Sequence, residues 1–439
     1  QMKKWLEVNN SGPLRGRIRV PGSKNSSLAL LAAACMADEP VCLGNVPNIA
    51  DIRNLSNIII STGAVLKIDK NVLYIDPTGI HSTNIDPGKS ASFRTAYYFV
   101  GALLARHKKV SVGYPGGDNL GSRPIDQHIK GLKAMGAGFT FYDNYYTVEA
   151  EKLKGADIHF DVITCGGTIN LMLASVLASG KTTLYNAARD PEVVDTAVLL
   201  NKMGAKVYGA GTDTIRIEGV KQLGGCRHSV IPDRLVAGAF LMAAGITNGT
   251  ITLEDVIPEH LGACIKKLSE IGLDFTSTDN SITVTGNSNL KSTRIKSGMY
   301  PILASDFQQP LTALLLKAKG RSIVMDRIYP ERFHHCEQLK RMGADITVKN
   351  SVAAINGGRP LLGTLVHAND IRAGISLILS GLTAEGTTYI TGVEHIERGY
   401  EDIAGSIGAL GADIRLLTGM SSKGNPLEQY FVNRPAVRI

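Results

Sequence analysis

Three kinds of segment alternate along the chain. The first is an apolar stretch rich in small residues: SKNSSLALLAAACMA, SFRTAYYFVGALLAR, GGTINLMLASVLAS, DRLVAGAFLMAAGIT, DFQQPLTALLLKA and DIRAGISLILSGLTA. These are hydrophobic nearly all round, which predicts helices buried on every side rather than amphipathic surface helices. The second is a turn and short strand, as in DEPVCLGNV, HKKVSVGYP, GKTTLYNAA, NGTITLEDV, GRSIVMDRI and EGTTYITGV, each leading into a loop and a helix. The third is a helix end, a glycine and an alternating strand: ISTGAVLKI, KAMGAGFTF, NKMGAKVYG, SEIGLDFTS, KRMGADITV and GALGADIRL. Their glycines, 63, 136, 204, 272, 343 and 411, stand about 70 residues apart and suit C-terminal helix caps.

The pattern predicts an α/β fold of six repeats, each a helix, a strand, a helix and a strand pair, three to a domain. A buried trio of helices surrounded by sheets and further helices follows for each domain. The first repeat opens at Pro21-Gly22 and the fourth near Pro232. The expected division is a domain over 21–232, a second domain formed by 1–20 with 233–425, and a polar C-terminal tail over 426–439.

A length of 439 residues suits two such domains, and 47 glycines with few aromatics suit a turn-rich α/β enzyme. The net charge of +8 favours small anionic substrates, because Lys and Arg are scattered and form no basic run. The six cysteines (35, 42, 165, 226, 264 and 336) include no CxxC pair and sit mostly in apolar contexts, which predicts reduced, buried thiols and a cytoplasmic protein. No apolar stretch is long enough to span a bilayer, and QMKKWLEVNN lacks the apolar core of a signal peptide.

Candidate chemistry falls in two places. Gly113 to His128, GYPGGDNLGSRPIDQH, is a glycine-rich segment between a strand and a helix, with Asp118, Arg123 and Asp126 in it. It reads either as a lid over 113–123 carrying catalytic groups or as an ordinary surface loop. Polar residues also gather at the openings of the apolar helices: Lys24, Asn25, Arg94, Thr164, Asp233, Arg234, Asp306, Asp370 and Arg372. Helix N-termini converging there would favour a polyanionic ligand, whereas Asp233 and Asp370 read equally well as caps. Lys24, Arg94 and Arg372 oppose the helix dipole, so each calls for a bound anion or a nearby carboxylate. Arg332 and Arg398 occupy related repeat positions. His334, His335 and His395 lack metal-ligand spacing, and no metal is expected.

These motifs resemble the enolpyruvyl transferases over nearly the whole chain, from PGSKNSSLALLAA through PGGDNLGSRPIDQHI, IPDRLVAGAF and SDFQQPLTALL to HIERGYEDI. Lys24-Asn25 matches the branch that uses UDP-N-acetylglucosamine. The shikimate-using branch would show Lys-Ser and an NAGTAxR segment, which are absent. The resemblance implies a two-domain inside-out α/β barrel that closes on phosphoenolpyruvate and a nucleotide sugar, with no cofactor. It implies that Lys24, Arg123 and Arg398 hold the phosphate, joined by Arg94, and that Arg332 and Arg372 hold the carboxylate. It places Asn25 and Asp306 along the acceptor sugar, Pro124, Ile125, Asp126 and Gln127 on the uracil side with Thr164 and Gly166, and Ile328 among the residues that bind the nucleotide sugar.

This chain departs from the family pattern at three points. Asp118 stands where the lid residue is usually Cys, TCGGT (164–168) where SVGAT is usual, and Val236 where Glu is usual. A carboxyl at 118 implies resistance to fosfomycin, which alkylates the lid thiol. The chemistry then assigns Asp306 as base, Asp118 as acid and the Lys–Arg set as an electrostatic clamp. The alternatives are a paralogue acting on another uridine nucleotide, or a nucleic-acid-binding or RNA-end-processing protein on a similar repeat fold. The last would use the positive charge but gives no role to an acid on a glycine-rich segment.

Overall fold

The computed structural model describes residues 2–91, 93–115 and 125–420. Twelve main helices fall in pairs, one pair to a repeat. They are α1 (Lys24–Ala34) and α2 (Ala50–Ser61), α3 (Tyr98–His107) and α4 (Asp126–Ala134), α5 (Cys165–Ser175) and α6 (Pro191–Lys202). The series continues with α7 (Arg234–Thr247) and α8 (Gly262–Ile271), α9 (Gln308–Leu315) and α10 (His334–Arg341), α11 (Ile371–Gly381) and α12 (Ile403–Gly408).

The odd-numbered helices are the small-residue segments, and they are enclosed as their composition requires. Ser26 to Ala34 of α1 and every residue of α11 are buried. Two starts differ from the expected position. In DFQQPLTALLLKA, Ser305–Phe307 forms a 3₁₀ turn and α9 begins at Gln308. The segment SFRTAYYFVGALLAR does not run as one helix: Arg94–Tyr97 forms a 3₁₀ turn and α3 begins at Tyr98.

The even-numbered helices each end at a glycine in the left-handed region, with φ of 108° at Gly63, 99° at Gly136, 106° at Gly204, 123° at Gly272, 92° at Gly343 and 101° at Gly411. At Gly204 and Gly411 an added Cβ would meet nothing within 4 Å, so backbone conformation rather than space selects glycine there.

Each repeat contributes one small sheet. In the third, Lys181–Tyr185 pairs parallel to Asp157–His159 across the α5 crossover and antiparallel to Thr214–Glu218, which pairs with Lys206–Tyr208. Ile215 and Ile217 are buried while their neighbours face outward, the period of a half-buried strand.

The chain divides into two compact units. One holds Val20–Arg234 with Met299–Ile302, and the other holds Gln1–Arg19, Leu235–Gly298 and the chain from Leu303 onward. In the first unit Arg227–Ser229 returns to lie parallel to Val41–Gly44, completing the sheet of the first repeat. In the second, β1 (Met2–Asn9) inserts between Thr387–Thr391 and Ile414–Met420, and β2 (Arg15–Arg19) lies parallel to Thr250–Glu254. The N-terminal strands therefore complete the fourth and sixth repeats. The tail over 426–439 lies outside the described residues, and Thr418 to Met420 are strand, paired to Met2–Lys4.

Candidate active site

Lys24 begins α1, capped by Ser23, whose hydroxyl accepts the Ser26 N–H. Its backbone N–H donates to Asp233 Oδ2 at 3.1 Å, and its ammonium lies 2.8 Å from Asp51 Oδ2. The carboxylate that a cation at a helix start calls for is thus Asp51, in the first turn of α2. Both side chains are nearly enclosed, 12% and 4% exposed. Asn25 beside Lys24 is exposed. Behind them Ser26 donates to Asp195 Oδ2, while His228 Nε2 pairs with Asp195 Oδ1 at 2.7 Å, so α1 is tied to α6 and to the returning strand.

Thr164 caps α5, its hydroxyl accepting the Gly167 N–H at 3.1 Å. An added Cβ at Gly166 would lie 2.2 Å from Tyr97 Oη, so only glycine lets the helix start pass that ring. Opposite, Ile125 is buried, Asp126 is exposed at the first turn of α4 and Gln127 is buried. The Gln127 amide meets Asp161 and Asp126, and Lys130 Nζ donates to Asp161 Oδ1 at 3.0 Å. Hydrogen bonds from Gln127 and Lys130, with the Lys130 charge, hold the Asp161 carboxyl below its usual range.

A second buried cluster stands beside α5. Arg234 reaches Glu192 Oε1 at 3.2 Å and Asp190 Oδ2 at 3.5 Å, with its guanidinium over the Tyr300 ring. Burial, and then the adjacent Glu192, push the Asp190 carboxyl up to about 6 against the opposing pull of Arg234. Asp118, Arg123 and Pro124 lie outside the described residues. Arg94 opens the 3₁₀ turn before α3.

In the other unit three predicted residues meet directly. Asp306 Oδ1 lies 2.9 Å from Arg332 Nη2 and 3.9 Å from Arg372 Nε. Arg372 sits in the first turn of α11, whose cap is Asp370, accepting the Ala373 N–H at 2.8 Å. For Asp370 the capping alternative is the one observed.

The scaffold of this trio is Asp326, a buried carboxylate that the sequence reading did not single out. It accepts from Ser297 and Ser305 hydroxyls at 2.9 and 2.6 Å, and from the N–H groups of Ile328 and Tyr329 at 3.0 and 2.9 Å. Ser305 adjoins Asp306 and also accepts from Arg332 Nη1 at 3.2 Å, so one carboxylate fixes both partners and places half-buried Ile328. Arg398 is half-buried in the loop after the short helix Val393–Ile396. His335 is buried, and burial lowers its pKa to about 3, so it is neutral and takes no part in acid–base chemistry near neutral pH.

Among the described residues no group of three His, Cys, Asp or Glu side chains is placed to hold a metal, and no helix is long and apolar enough to cross a membrane. A carboxylate within 4 Å of two guanidinium groups, one of them at the start of α11, is suited to binding anionic substrates.

The family described as EPSP synthase (3-phosphoshikimate 1-carboxyvinyltransferase) matches residues 8–407. The chain is 47% identical over 409 residues to UDP-N-acetylglucosamine 1-carboxyvinyltransferase 2 of Geobacillus kaustophilus, covering 93% of this chain and 96% of the relative. It is 46% identical over 409 residues to the protein of the same name from Listeria monocytogenes, covering 93% and 97%. Among solved structures, the enolpyruvyl transferase NikO from Streptomyces tendae aligns with TM-score 0.87 at 23% identity, covering 96% of this chain and 100% of that one. EPSP synthase from Acinetobacter baumannii aligns with TM-score 0.74 at 19% identity, covering 94% and 100%. This chain belongs to the EPSP synthase family of carboxyvinyltransferases. The expected two-domain α/β class agrees with the fold of these neighbours.

Proposed function

We propose that the protein transfers the enolpyruvyl group of phosphoenolpyruvate to the 3′-hydroxyl of UDP-N-acetylglucosamine, releasing phosphate, the reaction that commits a nucleotide sugar to peptidoglycan. The observation that carries this reading is Asp306 held by Arg332 and Arg372, in a chain 47% identical to a relative named for that acceptor. Asp306 takes the proton of the attacking hydroxyl, whose oxygen adds to C2 of phosphoenolpyruvate while C3 gains a proton from Asp118. Phosphate leaves C2, a proton leaves C3, and the double bond returns as an enolpyruvyl ether.

Each guanidinium carries five N–H donors, so Arg332 and Arg372 can hold Asp306 and the substrate carboxylate together. Lys24, Arg123 and Arg398, with Arg94, supply positive charge for the phosphate. Asn25, Ile328 and the wall of Pro124, Ile125, Asp126, Gln127, Thr164 and Gly166 take the nucleotide sugar. No metal or organic cofactor enters these steps. No disulfide joins the six cysteines, which fits work in the cytoplasm.

A second reading, another uridine nucleotide as acceptor, is favoured by TCGGT at 164–168 and by Val236. Phosphate release from phosphoenolpyruvate with UDP-N-acetylglucosamine, UMP and shikimate as separate acceptors tests both. Release with the nucleotide sugar supports the first reading, release with UMP alone the second, and release with shikimate alone overturns both.

A further inference from the structure

Gln127 is 5% exposed, and both ends of its side-chain amide are engaged. Its Oε1 accepts the Asp161 backbone N–H at 2.9 Å, while Nε2 donates to Asp161 Oδ2 and Asp126 Oδ2, both at 3.1 Å. The orientation is dictated chemically, since a backbone N–H can only donate and a carboxylate can only accept. Lys130, one helical turn on, adds bonds to Asp161 Oδ1 at 3.0 Å and to the His159 carbonyl at 2.7 Å. Two residues on one face of α4 thus grip residues 159 to 161, three residues before the Thr164 cap of α5.

We propose that Gln127 is a positioning residue, with Asp161 as its counterpart: the pair clamps the start of α4 to the segment entering α5, so that the wall bearing Asp126, Thr164 and Gly166 keeps one shape. This rests on the nucleotide-binding role proposed above for that wall. Gln127 then acts on the nucleotide through Asp126 and through residues 161–166, both of its Nε2 donors being engaged by Asp161 and Asp126. Thr164 and Gly166 also depend on the clamp, because the chain between Asp161 and the α5 cap is exposed at Val162 and Ile163.

The pair can be broken by one charge. Gln127→Glu keeps shape but, when ionised, sets a third carboxylate against Asp161 and Asp126 and removes the donor. Like charges raise the pKa of the new carboxyl. Protonated at acid pH, it offers one O–H to Asp161 and one carbonyl to the Asp161 N–H, so both ties to Asp161 are kept and only the bond to Asp126, its chain neighbour, is given up. As pH rises through its pKa, the clamp opens. The charged groups facing it are Asp126 and Lys130 on α4 and Asp161 before α5. His159 on the adjoining strand stacks on Tyr185 and meets Lys130 through its carbonyl only.

The test is calorimetric binding of UDP-N-acetylglucosamine to the full-length protein and variants from about pH 5 to 9, a range that spans a raised carboxyl. For Gln127→Glu the expected loss of affinity is roughly 10- to 100-fold at alkaline pH, shrinking toward none at acid pH. In Gln127→Glu with Asp161→Asn, the Asn amide restores the missing donor and most of the affinity. Asp161→Ala, which removes the partner outright, loses affinity at all pH values and serves if Gln127→Glu fails to fold. Binding by Gln127→Glu equal to wild type at every pH, or weakened equally at every pH without rescue, overturns the clamp.

Hydrogen exchange of the Asp161 amide separates this from failure of the functional reading. If the unmutated protein does not bind the nucleotide sugar, yet Gln127→Ala speeds that exchange, the clamp stands and the nucleotide role falls. No change in exchange overturns the clamp itself.

Discussion

Lys24 and Asp306 are both charged residues at the opening of a buried helix, and the two are held in different ways. Lys24 is paired with Asp51 at 2.8 Å, and both are nearly enclosed. Asp306 is 30% exposed and shared between two arginines. Removing one partner of an enclosed pair strands a charge away from water, whereas in the Asp306 cluster the carboxylate and Arg332 are 30% and 23% exposed and only Arg372, 9% exposed, is enclosed. The Lys24 site therefore ties chemistry to folding more closely than the Asp306 site does.

Substitution of each sharpens this contrast. Asp306→Asn is expected to lower turnover by roughly 10²–10⁴-fold, the share of a general base, with an unchanged thermal midpoint. Activity within a few-fold of wild type would remove Asp306 from the chemistry. Lys24→Met is expected to cost about 3–5 kcal/mol of stability as well as activity, because the enclosed Asp51 carboxylate loses the Lys24 charge beside it. A denaturant midpoint equal to wild type would make the two sites alike and break the comparison. Asp51→Asn with Lys24→Met should recover part of that stability without recovering turnover.

Asp118 lies outside the described residues, so its prediction rests on side-chain chemistry. Thiolates open epoxides far more readily than carboxylates do, so prolonged fosfomycin should leave the intact mass unchanged and activity complete after dilution. Asp118→Cys should gain a covalent adduct while retaining measurable transfer. A time-dependent mass increase in the unmutated protein would contradict the account.

The smallest effect concerns Asp190, whose folded-state pKa of about 6 stands above the ordinary carboxyl value of 3.8. Between those two pH values the folded chain holds the proton that the unfolded chain has released, so stability from this group falls as pH rises through the window. Asp190→Asn should flatten that part of the stability curve in equilibrium denaturation. An unchanged slope would place the Asp190 carboxyl in its ordinary range.

Much of the fold was legible because each repeat writes its own signals locally. A small-residue helix has nowhere to go but inside, and the glycine after each outer helix marks a left-handed cap within its own segment. Asp306, Arg332 and Arg372 could be gathered because they occupy related positions at helix openings or in loops. Asp51, Asp326 and Asp161 could not. Each is an acid in an unremarkable local context, and what selects it is a partner supplied from elsewhere in the fold, such as Lys24 for Asp51. The 3₁₀ start at Arg94 was missed for a similar reason, since the apolar pattern runs through it without a break.

The measurement that tests the central claim most directly is mass analysis of the nucleotide after incubation with phosphoenolpyruvate, alongside phosphate release, for wild type and Asp306→Asn. The account predicts UDP-N-acetylglucosamine carrying one added enolpyruvyl group, formed in step with phosphate, and its near disappearance in the variant. Phosphate released while the nucleotide sugar keeps its original mass, or full product from Asp306→Asn, would contradict it.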